Sequence, residues 1–196
     1  ALLVVRELML SAKRFQVIRE GLPGVTPGVL KGRLDQLIDA GLVIHPPGLG
    51  YYALTPSGRG LRGVLLEVAR WGLTQPGHDP RKFISPTSAV VSLNLMMDPD
   101  LAAGSPLVAG FDMGREQFTV HISRDGRPLP EAVDAADGDF VLRGPGNAIV
   151  MTMYGPLPVA HMAAGGAVEV AGDAAAAQQW ADMCATVPMP AAASPG

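Results

Sequence analysis

Apolar residues recur at helical spacing through roughly the first seventy positions and in short alternating runs thereafter. Leu2, Leu3, Val4, Val5, Leu8, Met9 and Leu10 predict a buried helix already under way at residue 1, with Arg6 and Glu7 its polar pair. After a break at Ser11-Ala12-Lys13, residues 14–20 predict a second short helix with Phe15, Ile18 and Leu22 inward. Thr26-Pro27 then starts a third, since the hydroxyl can cap and proline's missing N–H costs nothing at the first helical position. Gly41 is its stop, and Leu30, Leu34, Leu37 and Ile38 make its apolar stripe. Residues 42–45 and 51–54 flank a Gly/Pro turn and predict a β-hairpin. Thr55-Pro56 opens one more helix, with Leu61, Val64, Leu65, Val68 and Trp71 on one side.

Periodicity lapses over 74–86, which reads as a linker. Beyond it, Pro86 starts a helix through Ala89, Val90, Leu93 and Met97. Strand-type runs follow at 107–111, 117–122 and 139–142, with a hairpin turn at Asp125-Gly126 leading into Arg127-Pro128-Leu129. Short helices over 147–154 and 157–163, a strand at 167–170 and a last helix over about 174–186 complete the pattern, and 188–196 is an Ala/Pro tail expected to be mobile. The expected class is α+β: a winged helix-turn-helix domain over 1–73, the linker, and an α+β domain over 87–187.

Helix, helix, recognition helix, hairpin and a further helix, in that order, are the elements of a winged helix-turn-helix. On the third helix the face opposite the leucines carries Gly28, Gly32, Asp35 and Gln36, with Lys31 and Arg33 on its shoulders. The glycines would let the backbone approach a duplex, the cations would reach phosphates, and Gln36 could read an adenine edge. Any solvated helix has a polar face, so the order of elements argues more than this face does. Charge sharpens the picture. Residues 1–73 hold nine Lys/Arg against five Asp/Glu, a balance of +4, and the remainder holds six against thirteen, or −7. The basic part suits a polyanion, and the acidic part is expected to sit away from it.

Arg6-Glu7-Leu8, Lys13-Arg14-Phe15, Leu22-Pro23-Gly24-Val25, Leu30-x-x-Arg33-Leu34-x-x-Leu37, Gly41-Leu42-Val43, Tyr52-Ala53-Leu54-Thr55-x-x-Gly58 and Trp71-Gly72 resemble the HxlR-type winged-helix transcription regulators. The resemblance implies a homodimer on double-stranded DNA carrying a pseudo-palindromic operator, and a repressor is the expected role. It places Lys13, Arg14, Thr26, Pro27, Lys31 and Arg33 toward DNA and gives the 56–72 helix a part in dimerisation. Gly28, Gly32 and Gln36 on the same helix face, with His45 and Tyr51 at the wing, complete the candidate DNA-binding set. The family's opening helix, often with a cysteine near its start, has no counterpart in these residues, so redox sensing is not carried over. The wing turn Pro46-Pro47-Gly48-Leu49-Gly50 has no cation, so a modest wing contribution is expected.

In the second part, residues 118–126, 136–142 and 164–173 resemble the sterol-carrier-protein-like fold, a curved sheet whose helices enclose an apolar tunnel. That resemblance implies an apolar small-molecule effector, with Phe111, Phe118, Val120, Phe140, Met151 and Met162 as candidate ligand-binding residues. Eight of the nine methionines lie from Met96 onward, which suits either an adaptable cavity or ordinary core filling. The same domain could equally be a spacer or dimerisation element. The rival to a regulator is thus a carrier of apolar ligands whose winged helix serves dimerisation or protein interaction.

Composition narrows the remaining classes. Hydrophobic residues make up 48% and charged ones 17%, with 24 Gly and 18 Pro, which describes a loop-rich globular chain rather than a disordered one. No apolar run reaches membrane-spanning length and the opening lacks a signal-peptide pattern, so a cytoplasmic protein without a membrane partner is expected. Cys184 has no second cysteine to pair with, and a buried structural thiol is expected there. Histidines 45, 78, 121 and 161 share no metal-ligand spacing, and Gly144-Pro145-Gly146-Asn147 lacks the Lys and Ser/Thr of a phosphate loop. The expectation is no metal, no cofactor, no catalytic residues and no enzyme.

Overall fold

A computed structural model of the protein describes residues 1–76, 78, 79 and 81–184. The tail expected over 188–196, and the final helix beyond 184, lie outside these residues.

The first unit runs α1 (Leu2–Glu7), β1 (Lys13–Arg14), α2 (Phe15–Glu20), α3 (Pro27–Asp39), β2 (Val43–Ile44), β3 (Tyr51–Leu54), α4 (Pro56–Gly60) and α5 (Arg62–Leu73). Helix α3 starts as its sequence predicts, with Thr26 Oγ1 accepting from the Val29 N–H at 3.4 Å. It stops where Gly41 takes φ of 69°, a conformation that strongly favours glycine. Its inward stripe is Leu30, Leu34 and Leu37, packed with Val5, Ile18, Val43 and Leu54. The predicted hairpin gains a third strand, since β1 pairs with β3 to give the order β1-β3-β2. The single helix expected over 56–72 is instead two, broken at Leu61. Gly58, Gly60 and Gly63 lower helix propensity there by roughly 1 kcal/mol each relative to alanine, enough to favour a break.

The second unit is a sheet covered on one face by helices. After α6 (Pro86–Met96) and α7 (Pro99–Ala102) come β4 (Ala109–Asp112), β5 (Gln117–Ile122), β6 (Pro128–Val133), β7 (Phe140–Arg143), α8 (Gly146–Tyr154), α9 (Val159–Ala164), β8 (Glu169–Gly172) and α10 (Ala174–Asp182). The strand order is β6-β5-β4-β7-β8, with β4 and β7 parallel and every other pair antiparallel. Alternation along β5 sends Phe118 and Val120 inward and leaves His121 exposed, as a half-buried strand requires.

The interior of this unit corrects the ligand expectation. Phe111, Phe118, Val120 and Phe140 are at most 1% exposed and belong to one core with Trp180. Trp180 sits edge-on to Phe111 and Phe140, with ring centroids 6.4 and 6.0 Å apart. The void beside Phe111 measures about 10 Å³, no larger than one water needs. Met151 and Met162 are half-buried on α8 and α9 and line none of it. The space that a tunnel would occupy is filled by side chains, chiefly the indole delivered by α10. Burying a ring of that size contributes about 4–6 kcal/mol. That outweighs the roughly 1–3 kcal/mol cost of its Nε1–H, which has no hydrogen-bond partner among the described residues.

Candidate functional site

The outward face of α3 is open. Thr26, Pro27, Gly28, Lys31, Gly32, Arg33 and Gln36 are all exposed, and a Cβ built on Gly28 or Gly32 would meet nothing within 4 Å. Lys31 Nζ lies 2.7 Å from Asp35 Oδ2, and Arg33 Nη1 donates to Gln36 Oε1 at 2.9 Å. The Asp35 hydrogen bond, then its charge, raises the Lys31 pKa, so this ammonium stays charged. Exposed contacts of this kind are weak because solvent screens them, so both cations can exchange their partners for phosphates at small cost.

The pairing of β1 with β3 changes the wing. Arg14 lies opposite Tyr51, and its Nη1 would be 3.4 Å from a Cβ built on Gly50. The cation-free wing turn therefore has an exposed arginine at its side, brought from thirty-odd residues upstream by a two-residue strand. His45 stacks on Tyr52 with centroids 4.1 Å apart, and its Nδ1 is 2.7 Å from the Tyr51 carbonyl. A carbonyl only accepts, so Nδ1 carries the hydrogen, and Nε2 is the nitrogen left to a partner. Tyr51 is half-buried, its carbonyl occupied by this contact.

Lys13 is not a DNA contact. Its side chain is 2% exposed, with Nζ 2.5 Å from Glu116 Oε2, 2.8 Å from Thr87 Oγ1 and 3.5 Å from Glu7 Oε2. Strand alternation explains the difference: adjacent residues on β1 point to opposite sides, so Arg14 outward puts Lys13 inward. Glu7, fully buried, also accepts from Arg6 Nε and Nη2 at 3.1 and 2.9 Å and from Ser85 Oγ at 2.6 Å. Thr87 donates onward to Glu116 at 3.0 Å. Two cations and two carboxylates thus close a neutral cluster between the units, and its fit is tight. A Cβ on Gly21 would fall 2.3 Å from Glu7 Oε2, so any larger residue there would displace the carboxylate. Around it, Arg62 donates to Asn94 at 2.7 Å and Arg115 pairs with Glu20 at 3.6 Å.

Helix α5 carries a second unsatisfied surface. Val64, Val68 and Trp71, at i, i+4 and i+7, are 51%, 48% and 64% exposed. Leu2 and Leu3 on α1, which packs against α5, are also exposed. Isolated exposed apolar residues are ordinary, but a stripe of this width is a candidate surface for association.

Elsewhere chemistry is sparse. Burial pushes the Cys184 thiol up to about 12, where almost no thiolate exists at neutral pH. Its reaction with a disulfide reagent at pH 7.5 should be more than a hundredfold slower in the folded protein than in urea; comparable rates would mean the thiol is accessible and activated. Among the described residues no three His, Cys, Asp or Glu side chains converge on a metal position. No described helix is long and apolar enough to cross a membrane.

Compared with known protein families, residues 1–79 match the one described as HxlR-like helix-turn-helix. No curated protein matches the chain. Among solved structures it is similar to the stereoselective inverting sec-alkylsulfatase Pisa1 from Pseudomonas sp., at 14% identity over 93% of this chain and 32% of that one, with a TM-score of 0.47. A double mutant of the sec-alkyl sulfatase PisA1 gives 14% identity over 55% of this chain and 17% of that one, with a TM-score of 0.44. The chain spans less than a third of the length of either sulfatase structure.

Proposed function

We propose that the protein, whose residues 1–79 match the HxlR-like helix-turn-helix family, is a DNA-binding transcriptional regulator that acts as a homodimeric, sequence-specific repressor and whose second unit receives a small-molecule effector. The observation that carries this reading is the free outer face of α3, flanked by Arg14 at the wing. With Gly28 and Gly32 contributing no side chain, the α3 backbone can enter a major groove closely. Lys31 and Arg33 then reach either wall, and Gln36 meets base edges. Thr26 and Pro27, at the helix start, face the phosphate beside it.

The exposed stripe of α5 with Leu2 and Leu3 supports dimerisation. A self-complementary patch on a two-fold axis places two recognition helices one helical turn apart, which is why an inverted repeat is the expected operator. Val68→Glu puts a charge in that patch. Sedimentation velocity should find it monomeric where the parent is dimeric, and an unshifted dimer would move the interface elsewhere. For recognition itself, selection from a random duplex pool should enrich inverted repeats with half-sites about 10–11 base pairs apart. A pool that stays random through repeated rounds contradicts the proposal.

The second unit is a sheet packed under helices, with its interior closed. An effector would have to bind at its edge, and one that changes DNA affinity must favour one arrangement of the two units over another.

A further inference from the structure

Where the two units meet, a cleft of about 390 Å³ opens beside the buried charge cluster. We propose that this cleft, rather than the interior of the second unit, is the effector site, and that it takes an apolar molecule bearing a carboxylate or similar acid. The inference rests on the regulator reading and deepens it.

The walls are predominantly apolar. Ala69 and Leu73 come from α5, Leu95 and Met96 from α6, and Val150 from α8, so the lining belongs to both units. Its polar groups are few and already arranged. Ser92 Oγ donates to the Ala89 carbonyl at 2.6 Å, so the 3.1 Å contact between Ser92 and Tyr154 must run from the tyrosine hydroxyl to the serine oxygen. Both of these hydroxyl hydrogens are therefore used internally, which leaves Ser88 as the lining hydroxyl without a partner among the described residues.

Arg6 and Lys82 line the cleft, with His78 beside them. Arg6 commits Nε and Nη2 to Glu7, while the described residues give its Nη1 no partner. The carboxylate that would oppose an anion here is Asp79, and it is neutralised locally. Arg81 binds it through Nε and Nη2 at 2.8 and 2.9 Å, and that hydrogen bonding lowers its pKa to about 2. A largely apolar cleft lined by two cations, its acid already satisfied, is complementary to an amphipathic acid.

The position explains why occupancy would matter. An acid group drawing on Arg6 competes with Glu7 for one guanidinium, and Glu7 is joined through Lys13 to the strand that holds Arg14 at the wing.

The test is calorimetric titration of the full chain, without DNA, using octanoate and naphthalene-1-acetate, each against its neutral alcohol. At least one acid should bind, about tenfold or more tighter than its alcohol. Lys82→Gln should weaken the acid about fivefold and leave the alcohol unchanged. Ala69→Trp, at an exposed rim position that can accept a ring, should abolish binding with an unchanged melting curve. Binding by neither acid, equal affinity for acid and alcohol, or full binding by Ala69→Trp would each overturn the proposal. A saturating acid should also shift operator affinity about fivefold or more, and binding without a shift would refute the effector role. Since the titration contains no DNA, its failure leaves DNA recognition standing, and loss of DNA recognition leaves the titration readable.

Discussion

Lys13→Ala should destabilise the protein by about 3–5 kcal/mol, the usual cost of leaving a buried ion cluster without one partner. In the folded protein Lys13 is the group that both Glu7 and Glu116 face across the seam. Removing it leaves Glu7 with Arg6 and Ser85 but strands Glu116 with only Thr87. The cluster itself need contribute little net stability, because desolvating four charges offsets most of their attraction. Lys13→Met combined with Glu116→Gln, which removes both charges of the shortest pair, should therefore recover much of the loss. Urea unfolding followed through buried Trp180, in a Trp71→Phe background, reports the second unit. Circular dichroism reports both, and in Lys13→Ala the two transitions should separate as the seam weakens. Unchanged stability with weakened DNA binding would instead restore Lys13 to the DNA-facing role that its place in the sequence suggests.

The second large effect is on recognition. Lys31→Ala with Arg33→Ala should lower operator affinity about a thousandfold while leaving the melting temperature within a few degrees. Both side chains are exposed and touch only Asp35 and Gln36 of their own helix, so the fold does not depend on them. Two contacts in each protomer of the proposed dimer are four contacts; at a factor of about six each they total about three decades in affinity. The salt dependence should also become shallower as phosphate contacts are lost. Wild-type affinity in this variant would place the DNA surface away from α3.

What could be read from the sequence was what local signals encode. Thr26-Pro27, Thr55-Pro56 and Ser85-Pro86 each start a helix by the same capping chemistry, and all three hydroxyls accept the backbone N–H they are placed for. Asp98-Pro99 carries that signal too and opens α7, a helix that the sequence reading missed although its cap was legible. Alternation gave β5 its bounds of Gln117–Ile122, because a half-buried strand writes its period into the chain. Lys13 was illegible for the opposite reason. A cation before a helix looks the same whether it faces water or carboxylates, and its partner Thr87 is 74 residues away. The tunnel failed similarly. Periodicity says that Phe111, Phe118 and Phe140 point inward, but not that Trp180 from α10 arrives to fill the space between them. The cleft that does exist is assembled from α1, α5, α6 and α8 with the segment between α5 and α6, and no one stretch of sequence carries its outline.

Fluorescence anisotropy with the protein's own upstream promoter duplex, against a scrambled duplex of equal composition and across a salt series, tests the central claim most directly. A preference for the promoter that persists at physiological salt is the predicted result, since base contacts from α3 survive when counterion release weakens. Equal, weak binding to both duplexes that vanishes as salt rises would contradict it, leaving only charge attraction from the basic first unit.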